Sequence, residues 1–201
     1  MLITFLFLVV IVLPPLHAQE TGTFTDTRDG HVYKWVQIGN QTWMAENLAY
    51  LPGVNPVSDA RFEGMVYYVY GYNGRSTSEA MQEASYKKYG SLYNYDAARE
   101  SCPEGWHLPT DGEWKEMESF LGMGDEADQR GWRESGEVGK KLKATAGWKV
   151  DDGTDDAGFN ALPAGYRGYD ALLTTHSSIV HFFRNHSLKK KFSRTGLFIL
   201  S

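Results

Sequence analysis

Cys102 is the single cysteine of the chain, and a thiol is a strong nucleophile only when a base stands beside it and its surroundings lower its pKa. His107 follows five positions later, but Pro103 and Gly105 lie between the two, so no shared helical face brings imidazole to sulfur. The run Asp151-Asp152-Gly153-Thr154-Asp155-Asp156 offers carboxylate oxygens of the kind Ca²⁺ takes, with Asp152, Asp155 and Asp156 the candidate ligands. It departs from the EF-hand loop because Leu162 stands where the bidentate Glu belongs. The alternative is a solvated turn, since Asp and Gly favour turns for local hydrogen-bonding reasons. His176, His181 and His186 are spaced by five, which matches neither the i, i+4 spacing of a helix-borne metal site nor a zinc-finger pattern. Neither a Gly-x-x-x-x-Gly-Lys-Ser/Thr nor a Gly-x-Gly-x-x-Gly phosphate loop occurs. Tyr67, Tyr70 and Tyr72 form an aromatic stretch that would serve as a stacking surface for a ligand.

The elements that must position these residues divide into three compositional regions. Residues 1–18 carry no charged side chain, and residues 2–13 are an almost unbroken apolar run. Such a run is short for a hydrocarbon core of about 30 Å. Followed by Pro14-Pro15-Leu16-His17-Ala18, it predicts a secretory signal, with an uncleaved N-terminal anchor as the alternative. No cysteine follows it closely, which excludes a lipid-modified one. Residues 19–170 hold 25 acids against 15 bases, a balance of −10, together with all six Trp and all twelve Tyr. Residues 171–201 hold five bases and no acid. The overall charge of −5 therefore describes no part of the molecule. A total of 201 residues predicts one folded domain, and the aromatic, Gly-rich composition excludes disorder and coiled coil.

Within the body, Asp29-Gly30 and Gly39-Asn40 are turn dipeptides and predict β-hairpins between Gly22 and Tyr50. Between them, Val32, Val36 and Ile38 share one face, while Tyr33 and Trp35 share the other. Trp35 and Trp43 are expected to pack across strands. Met65–Tyr72 reads as a strand, Thr77–Lys88 and Tyr93–Ser101 as helices, and Val138–Ala144 as a further short segment. Thr110-Asp111-Gly112-Glu113 is a capping box, and behind it Trp114, Met117 and Leu121 make one apolar stripe, with Glu116 and Glu118 expected on the solvated side.

The blocks Tyr89–Ala98 and Cys102–Trp114, the opening Asp26–Tyr33 with Ile38–Leu48, and Gly153–Asp155 with Gly158–Arg167 resemble the Fibrobacter succinogenes major paralogous domain (FISUMP) over residues 24–170. The run Gly105-Trp106-His107-Leu108-Pro109-Thr110-Asp111-Gly112-Glu113-Trp114 is also similar to a motif of C-type-lectin-like folds and of formylglycine-generating-type enzymes. The resemblance implies an α+β, C-type-lectin-like fold of short helices on a small irregular antiparallel sheet. Trp43, Trp106, Leu108, Pro109 and Trp114 would then be structural core. The formylglycine-type chemistry needs more than one reactive cysteine. Members of the family usually continue past the Gly165-Tyr166-Arg167 block with more aromatic strands and end near a second cysteine. Here the style breaks after Asp170, which predicts an incomplete C-terminus, an aberrant basic tail at 171–201 arising from a frameshift or false end, and a Cys102 that has lost a disulfide partner.

The expectation is a non-catalytic, exported surface, periplasmic or secreted binding module. Glycan and envelope-protein ligands are both open, no cofactor is expected beyond possible Ca²⁺, and neither a nucleic-acid partner nor a stable membrane span is expected after signal removal. The alternatives are an envelope-glycan hydrolase or modifying enzyme, and a non-functional truncated paralogue.

Overall fold

Two hairpin turns between β-prone runs build an antiparallel meander: β1 (Thr21–Thr25), β2 (Val32–Ile38) and β3 (Gln41–Met44), in spatial order β1-β2-β3. The computed structural model describes residues 19–59, 64–129, 135–149, 151–167 and 173–174. Ile38 pairs with Gln41, so Gly39-Asn40 is a two-residue hairpin loop, and Gly39 takes the positive φ of 62° that such a turn requires. Both turn dipeptides therefore fall where the sequence places them.

Side chains alternate across a strand, and β2 uses both of its faces. Val36 and Ile38, with Trp43 and Ala45 beside them, enter one buried cluster; Tyr33 and Met44 enter another. The first cluster is completed by residues from Trp114 to Ala161, among them Met117, Leu142 and Phe159. The second is completed by residues from Leu48 to Ala98, among them Leu51, Val69 and Tyr93. Successive stretches of the chain thus cover opposite faces of one small sheet. Val32, expected with Val36 and Ile38, lies beyond the reach of the first cluster and is 54% exposed.

The covering layers are short, and they form the expected α+β arrangement of small helices and antiparallel strands. The Met65–Tyr72 strand shrinks to β4 (Tyr67–Tyr68), paired with β5 (Leu92–Tyr93). The single helix expected over Thr77–Lys88 is two, α1 (Thr77–Ala80) and α2 (Ala84–Tyr89), with Ser76 capping the first. α3 (Tyr95–Glu100) is capped by Asn94, whose side chain accepts from the Ala97 amide. α4 (Asp111–Glu118) starts at the predicted box: Thr110 accepts from the Glu113 amide at 3.3 Å and Glu113 accepts from the Thr110 amide at 2.6 Å. Trp114 and Met117 are buried and Leu121 is half-buried, as the stripe requires. Glu118 is a correction, because it is buried rather than solvated. Glu118 follows Trp114 by four residues and adjoins Met117, so it lies on the flank of the buried stripe rather than opposite it.

α5 (Val138–Leu142) leads into a loop that folds back on itself, with the Ala144 amide donating to the Ala161 carbonyl and the Ala161 amide to the Leu142 carbonyl, each at 2.9 Å. β6 (Tyr166–Arg167) pairs antiparallel with β7 (Leu173–Thr174). Among the described residues no helix is long and apolar enough to cross a membrane.

Candidate functional site

The loop joining β1 to β2 carries a polar network that starts from one carboxylate. Asp26 is 2% exposed. It accepts from the Arg28 amide at 3.0 Å and from the Arg28 guanidinium at 2.5–3.1 Å. Its own backbone closes the loop, since its amide donates to the His31 carbonyl and its carbonyl accepts from Gly30, both at 2.8 Å. The Arg28 hydrogen bonds hold the Asp26 carboxyl below the usual carboxylate range, against the opposing effect of burial.

Arg28 does more than neutralise Asp26. Its guanidinium lies over the Tyr50 ring, 3.9 Å from the centroid, and donates to the Ser101 carbonyl at 2.9 Å. One side chain therefore ties the hairpin tip to the C-terminal end of α3 and to the loop after β3. A planar fork with five donors suits this role in a way that a lysine would not.

Beside this network runs a ledge of rings. Phe24 stacks on Trp106 with centroids 4.5 Å apart and on Tyr33 at 5.4 Å, and His31 lies 4.2 Å from Tyr33. Tyr33 is buried, and its hydroxyl oxygen accepts from the Ala49 amide at 3.0 Å. Phe24, Tyr50 and Trp106 are half-buried, and His31 is exposed. Ring surfaces next to a fixed ionic network present apolar area together with oriented donors and acceptors, the usual make-up of a ligand site.

Cys102 sits at the same corner, half-buried, with its sulfur 3.5 Å from the Ala98 carbonyl. Burial pushes its thiol up to about 11, the opposite of nucleophilic activation. His107 is engaged elsewhere, its Nε2 2.8 Å from Glu113. Burial opposes the Glu113 charge, but hydrogen bonds from Thr110 and His107 outweigh it and hold the carboxyl low. The structure does not bring Cys102 and His107 together.

The other expected sites fall in different places. Tyr67 and Tyr72 are corrected: both are buried. Tyr67 sets its ring edge-on to Tyr93 at 5.7 Å, and the Tyr72 hydroxyl donates to Glu79 at 2.9 Å. Only Tyr70 of the three is half-buried, so they do not form one stacking surface, because β4 is covered on both sides. In the acidic turn, Asp152 accepts from the Trp148 amide at 2.9 Å and Asp155 from the Asn160 amide at 2.7 Å, while Asp156 is exposed. Desolvation raises the Asp155 pKa. The Asp152 and Asp155 carboxylates are turned to their own loop's backbone, and no group of three or more His, Cys, Asp or Glu among the described residues is placed to hold a metal. Trp43, Pro109 and Trp114 are buried, with Trp43 and Trp114 centroids 4.6 Å apart; Trp106 and Leu108 are half-buried against the second cluster. His176, His181 and His186 lie outside the described residues.

Phe24, Arg28 and Tyr50 are the residues that sequence reading missed. Asp26-Thr27-Arg28-Asp29-Gly30 shows a turn, but nothing in it announces a partner at Ser101, 73 residues away.

A small antiparallel sheet covered on each face by a different stretch of chain, with short helices in the covering layers, defines a small α+β domain. The sequence pattern of the Fibrobacter succinogenes major domain matches residues 36–189, and the chain belongs to that family. The match begins within β2 and ends nineteen residues past the boundary expected at Asp170. No curated protein sequence and no solved structure matches the chain.

Proposed function

We propose that the chain is an exported, non-catalytic binding module of the bacterial surface, and that it takes a glycan or protein ligand on the ledge formed by Phe24, Trp106 and His31. The observation that carries this reading is the ring ladder at 4.2–5.4 Å beside the fixed Asp26–Arg28 pair. Export is supported by the uncharged apolar run at residues 2–13, and a C-type-lectin-like fold by the Gly105–Trp114 motif. The activated thiol that a cysteine enzyme needs is disfavoured by the burial of Cys102.

The test is a binding titration of the folded protein against polysaccharides and envelope proteins, with and without Ca²⁺, followed by intrinsic fluorescence. Trp106→Ala should weaken a positive interaction by roughly tenfold, the worth of about 1.4 kcal/mol from one aromatic contact. Its thermal transition should persist, since Trp106 is only half-buried. Failure of every ligand, or unchanged affinity in Trp106→Ala, sinks the reading.

A further inference from the structure

Among the described residues β1 is an edge strand, and its outward side can be read from two hydrogen bonds. The Gln37 amide donates to the Glu20 carbonyl and the Asp26 amide to the His31 carbonyl, each at 2.8 Å. Both pairs lie on the β1–β2 register that joins Gly22 to Trp35 and Phe24 to Tyr33. Hydrogen-bonded and non-hydrogen-bonded pairs alternate along an antiparallel ladder, so the even-numbered residues of β1 bond to β2. The amides and carbonyls of Thr21, Thr23 and Thr25 therefore point away from the sheet. All three residues are exposed, and none has a backbone bond to another described residue.

Open edges are ordinarily blunted by Lys, Pro, a bulge or a covering element. The strand itself carries none of the residue guards, since Thr21-Gly22-Thr23-Phe24-Thr25 contains no charge and no proline, and among the described residues no strand lies beyond it. In a body of balance −10 it is a strand along which two copies can approach without opposing like charges.

We propose that β1 pairs antiparallel with β1 of a second copy about a two-fold axis through Thr23, joining two three-stranded sheets into one of six. The outward residues are self-complementary in this register. Thr23 meets Thr23 of the second copy, and Thr21 meets Thr25, so every outward amide and carbonyl of the three finds a partner. The side chains agree. Gly22 falls opposite Phe24 of the second copy, and Gly22 is already roofed by the Trp35 indole, which would lie 2.5 Å from a Cβ at that position. A large ring thus meets a position without a side chain, next to another ring. Glu20 falls opposite Asp26, whose charge is already balanced by Arg28, so the charges at the ends of the pairing do not oppose it. The pairing goes beyond the ligand reading and does not depend on it.

The test combines sedimentation of the full chain with cysteine linkage in a Cys102→Ser background. The wild-type chain should sediment as a dimer. Thr23→Cys should link to itself under mild oxidation, since paired Cα atoms there lie about 5.5 Å apart, inside the disulfide range. Thr21→Cys should not link to itself, the two sites being about 13 Å apart along the strands, but should link to Thr25→Cys when the two are mixed. Thr23→Pro removes an amide that points away from β2, so it should give a folded monomer; Thr23→Lys, which places two charges at the axis, should do the same. A monomeric wild-type chain, a dimer that survives both substitutions, or linkage without this register overturns the proposal.

Discussion

Asp26 shows how much a single buried carboxylate can organise. It closes the β1–β2 loop through its backbone and fixes Arg28 through its side chain, and Arg28 in turn reaches Tyr50 and Ser101. The carboxyl is held below its ordinary range, so its charged form stabilises the fold wherever the pH exceeds the unfolded value of about 4. That contribution disappears as pH falls through this range toward the lower native value. Asp26→Asn is therefore expected to lose about 1.5–3 kcal/mol at neutral pH, the worth of hydrogen bonds to a charged group. Urea unfolding at a series of pH values should show the deficit shrinking as acid protonates the wild-type carboxyl. A deficit that stays constant across the series would show that charge is not its source. The sequence displayed Asp26, Arg28 and Gly30 as a turn and no more, because a turn signal is local and the Arg28 contacts are not. For the same reason Tyr67 and Tyr72 could be read as tyrosines but not as buried ones.

At the scale of elements, the clearest features in the sequence were those whose physics is confined to a few residues. The capping box at Thr110 and Glu113, the Trp114–Met117 stripe and the Gly39-Asn40 turn each depend on neighbours within a turn or two, and each is present. Lengths were less legible. α1 and α2 divide at Met81–Glu83, and β4 keeps two residues of the eight expected, because what ends them is packing against distant chain. Gly90 is such a tertiary constraint. It closes α2 at φ 71° and ψ −147°, and a Cβ there would come within 2.6 Å of the Leu48 carbonyl oxygen. Gly90→Ala should cost at least about 2 kcal/mol, from a backbone region nearly confined to glycine and a clash with main chain that cannot swing aside. A melting temperature lowered by about 4–8 °C would match that figure for a domain of this size. An unchanged transition would mean that the α2–β5 corner relaxes freely.

At the scale of the whole molecule, the described residues form two large cores that share one sheet, with a smaller cluster at Val66, Tyr68 and Leu92. The first buries Trp43, Trp114 and Trp148, and the second buries Tyr33, Tyr67, Tyr72 and Tyr93 with Trp106 at its margin, so tryptophan signal is weighted toward the first and tyrosine signal toward the second. Because β2 contributes Val36 to one and Tyr33 to the other, neither can dissolve without stripping the strand that supports its neighbour. Phe159→Ala in the first and Leu48→Ala in the second should each lower stability by about 2–5 kcal/mol while the tryptophan and tyrosine signals continue to melt together. Separate transitions would show that the sheet does not couple the layers. The family and the α+β class were legible at this scale from ordered blocks of sequence, whereas the assignment of each block to one side of the sheet was not, since alternation along β2 names two faces without saying what covers them. That assignment has a consequence in time. A ribosome delivers Leu48–Ala98 within about fifty residues of the finished meander, but Phe159 arrives more than a hundred residues after Met44, a delay of about 6–23 s at 5–20 residues per second. For that interval the nascent sheet is greasy on one side alone, so a chaperone that recognises this chain would be expected to hold it by Val36, Ile38 and Trp43 rather than by its tyrosine-rich side.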